Sequence, residues 1–115
     1  MEYDQNNVFA KILRGDLPCD KVYEDDFALA FRDINPAAPV HILVIPKREI
    51  ISVGTMTDAD VAVMGHLMQV CQTVARQEGL TDFRLVANSG AGAGQSVFHL
   101  HFHVLGGRSL SWPPG

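Results

Sequence analysis

Hydrophobic and polar residues alternate with different periods along the chain, and the period of each segment predicts its secondary structure. Apolar residues recur at helical spacing after the capping residue Thr57, so we predict a long helix that ends before Gly79. Its apolar face comprises Val61, Met64, Met68, Cys71 and Ala75. Asn7 caps a shorter predicted helix that ends near Arg14. Short apolar or β-branched runs bounded by turn residues predict five strands, at residues 21–24, 28–32, 40–45, 83–87 and 99–105.

The order of these elements is a short helix, three strands, a long helix and two strands. Consecutive strands joined by short turns favour antiparallel pairing, and the long helix has an apolar face to pack on the sheet. We therefore predict an α+β fold with a mainly antiparallel five-stranded sheet. A chain of 115 residues has room for one hydrophobic core. Residues 1–115 are expected to form a single domain with a flexible N-terminal segment at 1–7.

Composition and charge narrow the class of protein. The chain is 47% hydrophobic and 19% charged, with a formal net charge of −4. An acidic chain is poorly suited to coat a nucleic acid polymer, since such binding depends on clustered Lys and Arg. The longest aliphatic run, residues 42–45, is much shorter than the ~20 residues that span a bilayer. We expect a cytoplasmic protein that binds neither membranes nor nucleic acid polymers, with free thiols at Cys19 and Cys71.

Three of the five histidines, His99, His101 and His103, occupy alternate positions and are separated by apolar residues. In an extended strand, alternate side chains share one face, so this histidine row would present three imidazoles on one side and a core face on the other. The unperturbed pKa of imidazole is roughly 6.5, which lets it act as a nucleophile, a base or an acid near neutral pH. The row is therefore a candidate catalytic site.

A glycine-rich loop, residues 88–96, comes directly before the histidine row. Glycines let backbone amides approach an anion closely, and successive amides in such a turn can form an anion-binding concavity. The polar residues Asn88, Gln95 and Ser96 bracket the glycines. By itself such a loop is a weak signal, but beside three imidazoles it indicates a phosphate site.

Metal binding and nucleophilic catalysis compete as explanations of the histidine row. In a strand, His99 and His103 would stand roughly 13 Å apart, too far to share one ion whose bonds to nitrogen are about 2 Å long. Two histidines of the row plus His41 could still bind zinc, but the sequence shows no nearby Cys, Asp or Glu to complete the set. We therefore expect no metal and no cofactor. A neutral imidazole can instead attack phosphorus; the alternative is that the histidines only fill a polar strand face.

Residues 99–105 resemble the motif of the histidine-triad (HIT) family, in which three histidines alternate with apolar residues and two apolar residues follow. The preceding stretch is similar to the longer pattern of the family, in Asn88, Gly90, Gly94, Gln95 and Val97. The tail, residues 106–115, is similar to that of the Hint branch. This resemblance extends over nearly the whole chain from Val8.

The resemblance implies a homodimer in which the two five-stranded sheets join, with residues 106–115 as a C-terminal extension at the interface. It also implies hydrolysis of adenosine or guanosine 5′-phosphoramidates. By position, His101 would attack the α-phosphorus and form a nucleotidyl-histidine, and His103 would contact the phosphate and help to protonate the leaving amine. His99 and His41 would complete the hydrogen-bond network that orients His101.

The resemblance further implies where a purine nucleoside monophosphate would bind. Asp33 would accept from the ribose hydroxyls, and the loop residues Asn88, Gly94, Gln95, Ser96 and Val97 would surround the phosphate. The residues at base-pocket positions are all apolar: Val8, Phe9, Ile12, Phe31, Ile34 and Leu43. Trp112 would lie at the dimer interface and reach toward the site of the partner. An alternative function is a nucleotide-binding interaction module in which hydrolysis is incidental.

Overall fold

Antiparallel pairing joins every pair of neighbouring strands in the sheet. The structure is a computed structural model that describes residues 1–115, and its strands follow the order β1-β2-β3-β5-β4. The elements in chain order are α1 (Val8–Leu13), β1 (Lys21–Glu24), β2 (Ala28–Arg32), β3 (Val40–Pro46), α2 (Val61–Gln77), β4 (Phe83–Val86) and β5 (Phe102–Gly106). The predicted α+β fold is confirmed. Neither helix has the length and apolar composition needed to cross a bilayer.

The two faces of the sheet carry separate apolar clusters. Successive residues of a strand point to opposite faces, so β3 sends Ile42 and Val44 toward α2 while Leu43 and Ile45 face the other way. The face opposite α2 also carries Phe9 of α1. His41 alternates with Ile42 in β3 and therefore lies on the α1 side of the sheet, together with this second cluster.

Helix α2 buries a different stripe from the one predicted. Its buried residues are Leu67, Val70, Cys71, Val74 and Ala75, whereas the predicted face residues Val61 and Met68 are exposed. Two adjacent stripes of this helix are apolar, so helical periodicity alone could not select the one that contacts the sheet. The helix proper begins at Val61, after a single 3-10 turn at Asp58–Asp60.

The prediction that the fifth strand begins at residue 99 is wrong. β5 begins at Phe102, which pairs with Val44. The ladder stops there because Pro46 has no N–H to donate and its carbonyl accepts from the His99 side chain instead (2.8 Å). The Leu100 amide turns away and donates to the carbonyl of Ile50 (2.7 Å). His99 and His101 therefore lie in an irregular segment, and only His103 is in a strand.

His66 makes a structural contact outside the histidine row. Its Nε2 lies 2.6 Å from Oδ2 of Asp25, in the turn between β1 and β2. The same carboxylate oxygen accepts from the Tyr23 hydroxyl (2.6 Å), and Oδ1 accepts from the amides of Phe27 and Ala28. Burial opposes ionisation of Asp25, but these hydrogen bonds outweigh it and hold its pKa at about 2. The pair ties the β1–β2 hairpin to α2.

Candidate active site

Adjacent strands bring His41 and His103 into contact. In the β3–β5 register His41 stands opposite Leu105 and Leu43 stands opposite His103, so both imidazoles point to the same face. Nε2 of His41 lies 2.9 Å from Nδ1 of His103. The ring of His101 lies 5.0 Å from that of His103, centroid to centroid. His41, near the start of β3, thus contacts the histidine row although it lies far from it in sequence.

Hydrogen bonds determine which nitrogen of each imidazole carries its proton. The Ala37 amide donates to Nδ1 of His41 (2.9 Å), so the proton of neutral His41 is on Nε2. His41 then donates to Nδ1 of His103, which leaves the proton of His103 on its own Nε2. That Nε2 is buried and has no partner. A buried imidazole N–H without an acceptor is a donor available to a ligand.

His101 has the opposite arrangement. Its Nδ1–H donates to the backbone carbonyl of His99 (2.7 Å), because a carbonyl can only accept. Its Nε2 therefore carries the lone pair. The ring is held edge-to-face by Phe9, 4.9 Å away between centroids. His101 thus combines a fixed tautomer with a free lone pair, which is the state a nucleophile needs.

His99 differs from the other two histidines of the row because both of its nitrogens are occupied. It is fully buried, with 0% of its surface exposed. Nε2–H donates to the Pro46 carbonyl, and Nδ1 accepts from the Tyr3 hydroxyl. Sequence reasoning missed Tyr3, since a single aromatic residue in a polar N-terminal segment forms no pattern. The three histidines are therefore chemically distinct: His99 is bonded at both nitrogens, His101 has a free lone pair and His103 has an unpartnered N–H.

Burial keeps all three histidines of the row uncharged. Desolvation lowers the pKa of His99 and His101 below 6.5, and it lowers that of His103 to about 4, aided by repulsion from His101 and His41. At pH 7 the three histidines of the row are therefore neutral. A neutral His101 has its lone pair available without first losing a proton.

These pKa values predict that the fold loses stability in mild acid. Unfolded histidines take up protons near pH 6.5, whereas folded His103 does so only near pH 4. Between these values the unfolded state binds more protons, so stability is full above pH 6.5 and falls below it. We expect the free energy of unfolding, from urea titrations, to drop by about 1–2 kcal/mol between pH 6.5 and 5 after discounting for solvent screening. His103→Gln should flatten this slope, and an unchanged slope would contradict the assignment.

The loop before the row is held by Gln95. Its Oε1 accepts from the Gly90 amide (2.8 Å), and its Nε2 donates to the carbonyls of Ile51 (2.7 Å) and Val97 (3.1 Å). The side chain of Gln95 is buried, so the predicted phosphate-site residue sits beneath the loop. Gly94 has φ +95°, a conformation that favours glycine. Ser96 is exposed, and Asn88 lies beside Gly94.

The structure brings most, but not all, of the predicted base-pocket residues together. The cluster on the α1 side contains Phe9, Phe31 and Leu43, with Ile12 and Val97 packed against it. The predicted pocket residues Val8 and Ile34 are exposed outside this cluster, Ile34 at 91%. Trp112 is also exposed, at 80%, and lies near Arg84, whose guanidinium is 5.9 Å from the indole centroid.

Asp33 reaches the histidines, which corrects the expectation that no acidic residue could complete a metal set. Its Oδ2 lies 3.3 Å from Nε2 of His41, and ligand atoms of Asp33, His41 and His103 lie within 4.8 Å of one another. The hydrogen bonds nevertheless do not fit a metal. Because Ala37 donates to Nδ1 of His41, Nε2 holds the proton and has no lone pair for an ion.

Comparison with known proteins identifies close relatives. A family model described as the HIT domain matches residues 14–110. A HIT-like protein of Synechococcus elongatus is 54% identical over 112 residues, covering 96% of this chain and 98% of that protein. A 14 kDa zinc-binding protein of Zea mays is 46% identical over 115 residues, covering 97% of this chain and 90% of that protein. The crystal structure of a HIT family hydrolase from Legionella pneumophila has a TM-score of 0.93 at 44% identity, covering 96% of this chain and 100% of that one.

Proposed function

The chain belongs to the HIT domain family, and from that premise we propose that it hydrolyses purine nucleoside 5′-phosphoramidates through a nucleotidyl intermediate on His101. One observation carries the proposal: a lone pair on Nε2 of His101 stands beside the unpartnered Nε2–H of His103, with the two rings 5.0 Å apart. Displacement at phosphorus needs a nucleophile that attacks the phosphorus and a proton donor that protonates the leaving nitrogen. The solved relative named a HIT family hydrolase has the same fold.

In the first step, Nε2 of His101 attacks the α-phosphorus and the phosphorus–nitrogen bond breaks. The leaving amine takes one proton from Nε2 of His103, and a proton taken up from the solvent replaces it, so that His103 and His41 both end the step neutral with Nε2 of His41 still donating to Nδ1 of His103. The nucleotidyl imidazole of His101 keeps its Nδ1–H on the His99 carbonyl and carries a positive charge. This positive charge corresponds to the one proton taken up from the solvent.

In the second step, water attacks the phosphorus and the bond to His101 breaks. The proton released by the water passes to the solvent, which balances the proton taken up in the first step and restores the starting state. The products are a nucleoside monophosphate and an amine. No redox change and no metal enters this cycle, and the residues needed for it are already in the required tautomers.

The surrounding residues support a nucleotide as the substrate. The apolar cluster of Phe9, Phe31 and Leu43 adjoins His101 through the Phe9 contact and is suited to a planar base. We propose that Asp33 accepts from the ribose, and that the loop at Asn88, Gly94, Ser96 and Val97 binds the phosphate with Gln95 holding it in shape. An apolar pocket discriminates weakly between related bases, so the proposal extends to both adenine and guanine.

Adenosine 5′-phosphoramidate in excess chelator is the direct test. We expect AMP and ammonia as products, and acid quenching during turnover should trap a nucleotidyl group on the protein. The cytidine analogue serves as a matched control for the purine and should react more slowly. Absence of turnover, or turnover that requires added zinc, would contradict the proposal.

Zinc is the competing ligand, because the maize relative is named a zinc-binding protein. In this chain the nearest set of ligand atoms is that of Asp33, His41 and His103. Binding there would require His41 to give up the Ala37 hydrogen bond and move its proton. We therefore propose that catalysis in this chain is independent of zinc, and elemental analysis of untagged protein checks the metal content.

We also propose that the protein is a homodimer that works in the cytoplasm. β4 is an edge strand with Phe83 and Leu85 each 38% exposed, a surface that a second sheet could extend and cover. Light scattering should then give twice the 12.6 kDa of one chain. The free thiols of Cys19 and Cys71 support a reducing compartment.

A further inference from the structure

We propose that Tyr3 is a positioning residue that sets the orientation of the nucleophile His101 through His99; the catalytic part of this inference rests on the proposed function. Tyr3 precedes the first helix and lies 96 positions from His99 in sequence, yet its hydroxyl bonds to Nδ1 of His99. The two rings also meet edge-to-face, 5.6 Å apart between centroids. A residue outside the histidine motif thus contacts the motif directly.

The direction of this hydrogen bond follows from the other nitrogen of His99. Nε2 faces the Pro46 carbonyl, which can only accept, so the single proton of neutral His99 is on Nε2. Nδ1 must then accept, and the Tyr3 hydroxyl must donate. Burial raises the pKa of the Tyr3 phenol and keeps it a donor. Together the two bonds determine both the tautomer and the ring orientation of His99.

His99 transmits this orientation to His101 through its own backbone. The carbonyl of His99 accepts the Nδ1–H of His101 at 2.7 Å, and this bond leaves the lone pair of His101 on Nε2. Phe9 packs edge-to-face against both imidazoles, 6.4 Å from His99 and 4.9 Å from His101. Because this segment lies outside β5, no strand hydrogen bonds hold it. Apart from the bond of the Leu100 amide to the Ile50 carbonyl, its side-chain contacts define its geometry.

The segment that carries Tyr3 is itself attached to the domain. Nε2 of Gln5 donates to Oε1 of Glu49 (2.6 Å), and the carbonyl of Gln5 accepts from the Arg14 guanidinium. Asn7 caps α1 by accepting from the Ala10 amide (2.9 Å). These contacts fix the chain directly after Tyr3 and so hold Tyr3 near His99. Loss of its hydroxyl would leave a fully buried Nδ1 of His99 without a donor.

Tyr3→Phe tests the inference, with Tyr23→Phe as its matched control. Both variants lose one phenol hydroxyl, but that of Tyr23 bonds to Asp25 in the β1–β2 turn. For Tyr3→Phe we expect kcat on adenosine 5′-phosphoramidate to fall roughly tenfold, about the value of one hydrogen bond, with KM changed less than about twofold. The ring ¹⁵N resonance of His99 Nδ1 should move away from that of a hydrogen-bonded acceptor. Tyr23→Phe should leave kcat and both ring signals of His99 unchanged.

An unchanged kcat together with unchanged His99 signals in Tyr3→Phe would overturn the inference, and so would an equal loss of kcat in Tyr23→Phe. The phenyl ring of Tyr3→Phe keeps the edge-to-face contact, and melting curves verify that both variants are folded. If the wild-type chain does not hydrolyse phosphoramidates, the proposed function fails. The ¹⁵N signals of His99 and His101, recorded without substrate, then still support or overturn the positioning role.

Discussion

His101→Ala should hydrolyse adenosine 5′-phosphoramidate at least roughly 10³-fold more slowly than the wild-type chain, because it removes the nucleophile of a two-step reaction. In the structure only His101 combines a free Nε2 lone pair with a neighbouring donor. In the other two histidines of the row, Nε2 carries the proton instead. AMP affinity should change little, since the phosphate loop and the apolar cluster remain. Steady-state kinetics and equilibrium binding of AMP measure the two effects separately.

His66→Ala is the matched control for His101→Ala. It removes the one histidine that lies outside the site, where it pairs with Asp25. We expect its kcat to stay within about twofold of the wild-type value, even if some stability is lost with the Asp25 contact. The nucleophile assignment fails if His101→Ala keeps a tenth or more of the wild-type rate. Acid-quenched His101→Ala should also yield no nucleotidyl protein.

His103→Ala should lose a rate factor that depends on the leaving group. Proton donation by a positioned side chain contributes roughly 10²–10⁴-fold, and an amine cannot leave without a proton. With adenosine 5′-phosphoramidate we therefore expect a loss of roughly 10²-fold or more. With adenosine 5′-phosphorofluoridate, whose fluoride leaves as an anion, the loss should be less than about tenfold.

The comparison between these two substrates isolates the role of the buried Nε2–H of His103. If His103 only contacts the phosphate, both substrates should lose the same factor, and the proton-donor assignment would be wrong. His41→Gln is an informative companion, because it removes the group that holds Nδ1 of His103 as an acceptor. For this variant too, the rate should fall more with the phosphoramidate than with the phosphorofluoridate.

Local periodicity was sufficient for the α+β fold and for most element positions. Strand and helix patterns depend on neighbouring residues in the chain, and these are visible in one sequence. Periodicity failed in two places for the same reason. The stripe of α2 that is buried, with Leu67 in place of Met68, depends on how the helix sits on the sheet. The start of β5 at Phe102 depends on Pro46 across the sheet.

The candidate site shows the same division between local and tertiary information. The histidine row and the glycine loop are visible in the sequence, and the family resemblance ranks the three histidines. The tautomers are not visible, because those of His103 and His99 depend on partners distant in sequence, His41 and Pro46. That of His101 depends on a local backbone conformation that places its Nδ1 against the His99 carbonyl. The approach of Asp33 to His41 likewise results from strand pairing between β2 and β3.

By itself, the sequence determined the fold class, the family and the location of a three-imidazole site, because these depend on residue type and on spacing along the chain. The family resemblance implied a role for each histidine, but only the tertiary structure showed that His99 is bonded at both nitrogens, that His101 has a free lone pair and that His103 has an unpartnered N–H. Imidazoles in equivalent sequence positions become chemically different when folding gives each nitrogen its own donor or acceptor. Tyr3 belongs to this second category, since a hydroxyl from the N-terminal segment can reach His99 only in the folded chain.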